Sequence, residues 1–293
     1  QNEHLSSAAL RSAGLVVLRQ GTGANAVAAM VDFGEHGGGH GHPDKLNLML
    51  YAFGREIMPD PGRISYSVPE WKSWCRTTVA HNTVVINGRN QFPTTGKLAF
   101  FKTTDNWSAA LVASNGAYSG YRLQRFLVLT PDVLVDLFAV TGNREARFDW
   151  VAHCRGKPVP VINANAVTAG LGLKNGYQHI KHVNLLKGSP SGVLEFVQPS
   201  KEVLRVHAVD TDPTLVFTGI GIGTTKTEKV PLILRRRTGK AAMFATIYDL
   251  SVKEDLAAVQ LKEVLISGKA ALPHIAAAVS FTVEDRKHLV AVD

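Results

Sequence analysis

Turn-forming residues recur along this chain at intervals that leave little room for helices. Gly, Pro, Asn and Asp punctuate it, and between them lie segments of four to ten residues that alternate apolar and polar or run wholly apolar. Period-two alternation sends successive side chains to opposite faces, which suits a strand in a half-buried sheet. Leu15–Arg19, Ala26–Phe33, Leu46–Phe53, Thr83–Ile86, Leu98–Lys102 and Ala109–Ala113 read this way. So do Arg122–Leu129, Val133–Val140, Leu194–Val197, Leu204–Val209, Leu232–Arg236 and Ala242–Tyr248. Thr130-Pro131-Asp132, Asn87-Gly88 and Thr238-Gly239-Lys240 supply tight turns between strands. Helical candidates are confined to Glu3–Ala13 and a stretch around Val252–Ala258. The expected fold class is therefore all-β: a large antiparallel β-sandwich of many short strands with little helix. A change in composition near Gly156-Lys157-Pro158 does not divide the chain, and residues 1–293 are expected to form one domain.

At 293 residues such a sandwich can bury a large core. No apolar run approaches the roughly 20 residues of a membrane-spanning helix, so no membrane partner is expected. Gln1-Asn2-Glu3-His4 is not a signal peptide, and without an initiating Met the chain reads as a mature product or a fragment. The formal charge of +8 favours an acidic partner such as nucleic acid, an anionic membrane surface or a polyanionic carbohydrate. Its cations are scattered except for Arg235-Arg236-Arg237, which a solvated hairpin end at the adjoining Thr238-Gly239-Lys240 explains at least as well as a binding patch does. No nucleic-acid-binding signature accompanies them, and nucleic acid is not an expected partner. Cys75 and Cys154 could form one bridge, but they lack a redox or catalytic context, and two buried free thiols are the favoured expectation.

One constellation stands out on this strand map. Gly37-Gly38-Gly39-His40-Gly41-His42-Pro43-Asp44 is followed by Asp60, 18 residues beyond His42, and by His81, 21 residues beyond Asp60. His42, Asp60 and His81 each sit where a predicted strand meets a turn. Two imidazoles and a carboxylate make a donor set that zinc accepts with a fourth position open. Each residue also has a plain structural explanation. An i, i+2 histidine pair occurs on exposed strands by accident, Asp60 between Pro59 and Pro61 suits a rigid turn, and His81 can simply open the strand His81–Ile86. In an extended segment His40 and His42 would face the same side, and the glycines let another chain or a substrate come close. Tyr66 is either an acid or hydrogen-bond donor to a sugar, or a loop tyrosine packed on its own sheet. Arg76 and Asn82 could hold a carboxylate or orient a ligand histidine. Trp71 and Trp74 could stack on a sugar or fill the core. His153 ends a strand and could approach the same sheet end, whereas Glu35 and His36 have no assigned role.

Three stretches in this order, Gly38-Gly39-His40-Gly41-His42-Pro43-Asp44-Lys45-Leu46, Pro59-Asp60-Pro61-Gly62 and Arg76-Thr77-Thr78-Val79-Ala80-His81-Asn82-Thr83-Val84, resemble the heparinase II/III-like family of polysaccharide lyases. Asn87-Gly88, Gln91, Phe148-Asp149-Trp150 and His153 extend the resemblance to about residue 156. The family includes alginate, oligoalginate, heparin and heparan sulfate lyases. The resemblance implies an antiparallel β-sandwich with one structural zinc ion on His42, Asp60 and His81, and His40 pointing into a substrate cleft. It implies β-elimination on a uronate-containing glycan: a base removes the proton α to the carboxylate, whose charge is neutralised, and an acid protonates the leaving oxygen. His40 and Tyr66 are the catalytic candidates, with Arg76 and Trp74 as substrate-binding candidates. In this family a helical α/α toroid precedes the sandwich and carries most of the catalytic groups. That domain is expected to be missing before residue 1, leaving a chain with little activity alone. A periplasmic or secreted location follows from the same resemblance. Two further functions compatible with these residues are a non-catalytic carbohydrate-binding module and a zinc hydrolase using metal-bound water.

Overall fold

The structure, a computed structural model, describes residues 6–161, 163–187, 192–209, 213–251, 260–263, 277–283 and 286–292. An antiparallel meander opens the chain: β1 (Ala8–Leu10), β2 (Leu15–Gln20), β3 (Val27–Asp32), β4 (Leu48–Ala52) and β5 (Arg55–Met58) lie side by side in sequence order. The larger sheet has twelve strands. Its first half comprises β6 (Val84–Ile86), β7 (Lys97–Thr103), β8 (Ser108–Ser114), β9 (Tyr121–Leu129), β10 (Val133–His153) and β11 (Lys157–Pro158). Its second half comprises β12 (Ala164–Ala166), β13 (Lys181–Leu186), β14 (Gly192–Val197), β15 (Val203–Val209), β16 (Leu215–Ile222) and β17 (Lys229–Asp249). A third sheet contains β18 (Gln260–Glu263), β19 (Ala277–Val283) and β20 (Arg286–Val292). The chain is an antiparallel β-sandwich, as the turn spacing predicts.

The long strands β10 and β17 form its spine. They pair from Val133↔Asp249 to His153↔Leu232, with one irregularity between Thr141 and Ala146. On one side of that break β10 pairs with β9 and β17 with β15; on the other β10 pairs with β6 and β17 with β16. The bulge thus lets one pair of strands serve two differently placed parts of the sheet. Beyond it both faces are buried, and alternation sorts the side chains. Val84, Ile86, Phe148, Trp150 and Ala152 join the core shared with the β1–β5 sheet, while Val85 and Val151 join a second core with Trp71, Trp74, Tyr177 and Leu234. Short apolar runs such as Val84–Ile86, Trp150–Ala152 and Leu232–Leu234 mark this doubly covered region.

Three expectations need correction. Residues 6–13 form β1 and part of a turn instead of a helix, with Ala8–Leu10 paired to Leu15–Val17; residues 1–5 and Val252–Ala258 lie outside the described residues. Thr238-Gly239-Lys240 is no hairpin turn, because β10 runs alongside it and the ladder continues through Thr238 and Gly239. Nor is the arginine triplet a solvated end. Arg235 is buried, with its guanidinium carbon 5.0 Å from the Trp150 ring centre, and Arg236 makes a bidentate pair with buried Asp149 at 2.6 and 2.9 Å. The turns at Thr130–Val133 and Asn87-Gly88 are present, the latter with both residues at positive φ. Cys75 and Cys154 are both buried thiols.

Candidate metal centre and adjoining cleft

Two connections meet at one end of the first sheet. The β3–β4 loop carries His36 to Asn47, and the β5–β6 loop carries Asp60, Tyr66, Trp71 and His81. The glycine run shapes the first. Gly37 and Gly38 have φ of 74° and 61°, and a Cβ on Gly41 would lie 1.3 Å from the His36 carbonyl oxygen. Only glycine permits that approach. His40 ends a 3-10 turn, Gly38–His40, so the extended geometry expected for His40 and His42 is not adopted. His40 is exposed, whereas His42 turns inward against the Trp71 ring, with ring centres 5.2 Å apart.

His42, Asp60 and His81 converge, and Asp44 joins them; one donor atom from each lies within 4.8 Å of all the others. His42 Nδ1 is 3.1 Å from His81 Nε2, which is 3.6 Å from Asp60 Oδ2. Zinc bonds of about 2.0–2.2 Å at tetrahedral angles separate ligand atoms by roughly 3.3–3.6 Å, so this spacing suits such an ion. The tautomer suits it too. His81 lies against the Thr77 carbonyl at 2.9 Å through Nδ1, a partner that can only accept, so that nitrogen carries the proton and Nε2 presents its lone pair. Burial first, and then the neighbouring His81, pushes the pKa of His42 down to about 4, leaving its ring neutral near pH 7.

The supports around these donors are buried and specific. Asn47 donates to Asp60 Oδ2 at 2.9 Å and accepts from the Asn82 N–H at 2.8 Å, tying the two loops together. The Gly62 N–H donates to Asp60 Oδ1 at 2.7 Å. Lys45, 1% exposed, reaches Asp32 at 2.6 Å and Asp44 at 3.0 Å. Burial alone would lower the Lys45 pKa, but Asp44 and Asp32 hold it above its ordinary value. Arg125 forks onto buried Asp136 at 2.9 and 2.6 Å, and its remaining nitrogen donates to the carbonyls of Leu46 and Asn82. Asn82 orients backbone instead of a ligand ring. Its Nδ2 donates to the Leu48 and Pro59 carbonyls, and its Oδ1 accepts from the His153 N–H. His153 does approach this end, with its Nδ1 3.1 Å from Asn82 Oδ1, but it is fully enclosed, and burial followed by His81 pushes its pKa to about 3. His81 does not open β6: it follows the 3-10 turn Thr78–Ala80, and the ladder begins at Val84.

Outside the four donors, His40 Nδ1 lies 2.7 Å from the Tyr66 hydroxyl. Tyr66 is 48% exposed and meets Trp71 edge-on, with ring centres 4.9 Å apart. Arg76 lies with its guanidinium carbon 5.9 Å from the Trp71 ring centre. Trp74 does not belong to this surface. It is 0% exposed with its indole N–H on the Ile222 carbonyl, and a ring with no free face cannot stack on a sugar. Sequence reasoning missed Asp44 as a donor; its place two residues after His42 is the signal that could have raised it as a candidate. Asn47, Thr77 and Arg125 carry no local signal, because their roles depend on loops and strands distant in sequence.

The family model described as heparinase II/III-like, C-terminal, matches residues 3–261. The chain is 30% identical over 194 residues to an exo-oligoalginate lyase of Saccharophagus degradans, covering 57% of this chain and 26% of the relative. It is 31% identical over 127 residues to a heparin-sulfate lyase of Bacteroides stercoris, covering 42% and 19%. A crystal structure of a heparan sulfate lyase from Pedobacter heparinus superposes with a TM-score of 0.73 at 16% identity, over 99% of this chain and 42% of that one. The matched region spans about a quarter of the length of the first curated relatives.

Proposed function

The chain belongs to the heparinase II/III-like family through its C-terminal domain, and from that premise we propose that it forms the β-sandwich wall of a lyase that cleaves uronate-containing glycans by β-elimination. The observation that carries this reading is the exposed His40–Tyr66 pair, 2.7 Å apart on a surface backed by the candidate metal centre. In such a reaction the C–H bond α to the carboxylate and the β C–O bond break, and a C=C bond forms between the two carbons. One protein group takes the α-proton and another protonates the departing oxygen. The Tyr66 hydroxyl can hand a proton to the leaving oxygen while His40 Nδ1 orients it. Arg76, two contacts away through Trp71, adds positive charge at the edge of this surface, where an acidic glycan would run.

His42, Asp60 and His81, with Asp44 as a fourth donor, would hold zinc. Bound there, the ion cross-links the two loops and supplies structural rigidity. The remaining groups for catalysis are assigned to a helical toroid domain of the same protein, and the periplasm or the exterior of the cell is the matching place of action.

The test uses the full-length protein with alginate and heparan sulfate, following the ultraviolet absorbance of unsaturated product. His40→Ala and Tyr66→Phe should each lower kcat by about 10²–10⁴-fold while leaving metal content intact. His42→Ala should remove the metal. Turnover within twofold of wild type in both His40→Ala and Tyr66→Phe would refute the assignment.

A further inference from the structure

The His40–Tyr66 surface is bounded on one side by Trp71, and Trp71 begins a π-helical turn, Trp71–Cys75, closed by the Arg76 N–H on the Trp71 carbonyl at 3.1 Å. This turn brings Lys72 and Arg76, four residues apart, toward a common side. Both line a cleft of about 370 Å³ together with His36, Pro43, Asn90 and Gln91. Among the described residues neither Lys72 nor Arg76 makes an ion pair, and no acidic side chain lines the cleft. Two carboxylates adjoin the lining residues along the chain: Asp44, beside Pro43, is paired with Lys45, and Glu35, beside His36, is exposed and outside the lining. The His36 Nδ1 atom is buried without a hydrogen-bond partner. Asn90 commits its Oδ1 to the Thr78 N–H, which leaves its NH₂ as a donor. Unpaired cations and spare donors around a cavity of this size make an anion site.

We propose that this cleft binds an anionic group of an acidic glycan, a carboxylate or a sulfate, at a sugar adjoining the one held at His40 and Tyr66. The assignment rests on the lyase reading above. Lys72 supplies a mobile point charge, Arg76 a planar fork suited to a carboxylate or sulfate edge, Asn90 adds an N–H donor, and His36 Nδ1 donates in the tautomer that protonates it. The Trp71 ring joins the two sites, touching Tyr66 on one contact and Arg76 on another.

The deciding experiment measures binding by calorimetry at low salt, using full-length protein and two probes: an alginate tetrasaccharide, which carries carboxylates only, and a heparan sulfate tetrasaccharide, which carries sulfates as well. Lys72→Ala/Arg76→Ala should weaken binding by roughly tenfold or more. A loss with both probes identifies a carboxylate contact, and a loss with the sulfated probe alone identifies a sulfate contact. Lys72→Glu, a reversal at an exposed position, guards against a folding defect in the double variant and should weaken binding in the same direction. Lys97→Ala/Lys157→Ala removes two exposed charges elsewhere and should change affinity by less than twofold.

Unchanged affinity in both cleft variants overturns the proposal, and so does an equal loss in the Lys97/Lys157 control, which would indicate charge alone. If wild type still releases unsaturated product while the cleft variants bind normally, the cleft assignment fails and the lyase reading stands. If wild type neither binds nor cleaves either glycan, both fail.

Discussion

At the scale of single residues, the site depends on imidazoles kept neutral. His153 is pushed to about 3 by burial and then by His81, against an ordinary value of 6.5, and burial also lowers buried His207. The unfolded chain therefore binds protons below pH 6.5 that the folded chain refuses. For His153 this contribution is complete above pH 6.5 and is lost as pH falls toward the folded value, at about 1.4 kcal/mol per unit well below 6.5. Denaturant midpoints between pH 6.5 and 5 should fall with acidification, and less steeply in His153→Gln than in wild type. Equal slopes would show that His153 takes up its proton in the folded state. The histidines and Asp60 were visible as candidates in the sequence because their types and spacing are unusual together. That both tryptophans are buried, with Trp71 alone touching His42 and Tyr66, was not, because the choice between two tryptophans three apart is made by what packs over them.

At the scale of elements, two loops make the site and the long strands brace it. The buried Arg125–Asp136 pair connects β9 to β10 and holds the carbonyls of Leu46 and Asn82, one from each side of the centre. Removing one member of a buried pair leaves the other uncompensated, typically at a cost of about 3–5 kcal/mol. Arg125→Met should destabilise the fold by that order in urea titrations and weaken metal binding. A variant that loses stability but keeps wild-type metal affinity would show that the brace does not reach the centre. Most strands were legible from alternation, including β2, β3, β8 and β9. The continuity of β10 and β17 was not, since Gly239 between two apolar runs has the local signature of a turn. Pairing with β10 overrides that preference: the ladder satisfies the backbone groups of Thr238 and Gly239 without reversing the chain.

At the scale of the whole molecule, the candidate metal centre lies beside the cores, and neither core is built around it. Both hydrophobic clusters are assembled from strands and turns packed on the β10–β17 spine, and the four donors belong to neither. Chelation should therefore lower the thermal midpoint by several degrees, in line with the loss of a few kcal/mol in a domain of this size, while far-ultraviolet circular dichroism at 25 °C keeps its β signature. Global unfolding on chelation at that temperature would instead make the metal a condition of the fold. The sequence by itself determined the class of fold, most strand positions and the family, and it picked out two histidines and an aspartate as candidates. These follow from alternation, turn chemistry and ordered motifs, all carried by residues close to one another along the chain. Only the tertiary structure decided that Asp44 joins the donors, that Arg235 and Arg237 are interior, and that Lys72 and Arg76 border a cleft containing His36. Each depends on burial and on contacts between segments tens of residues apart, which local sequence does not encode.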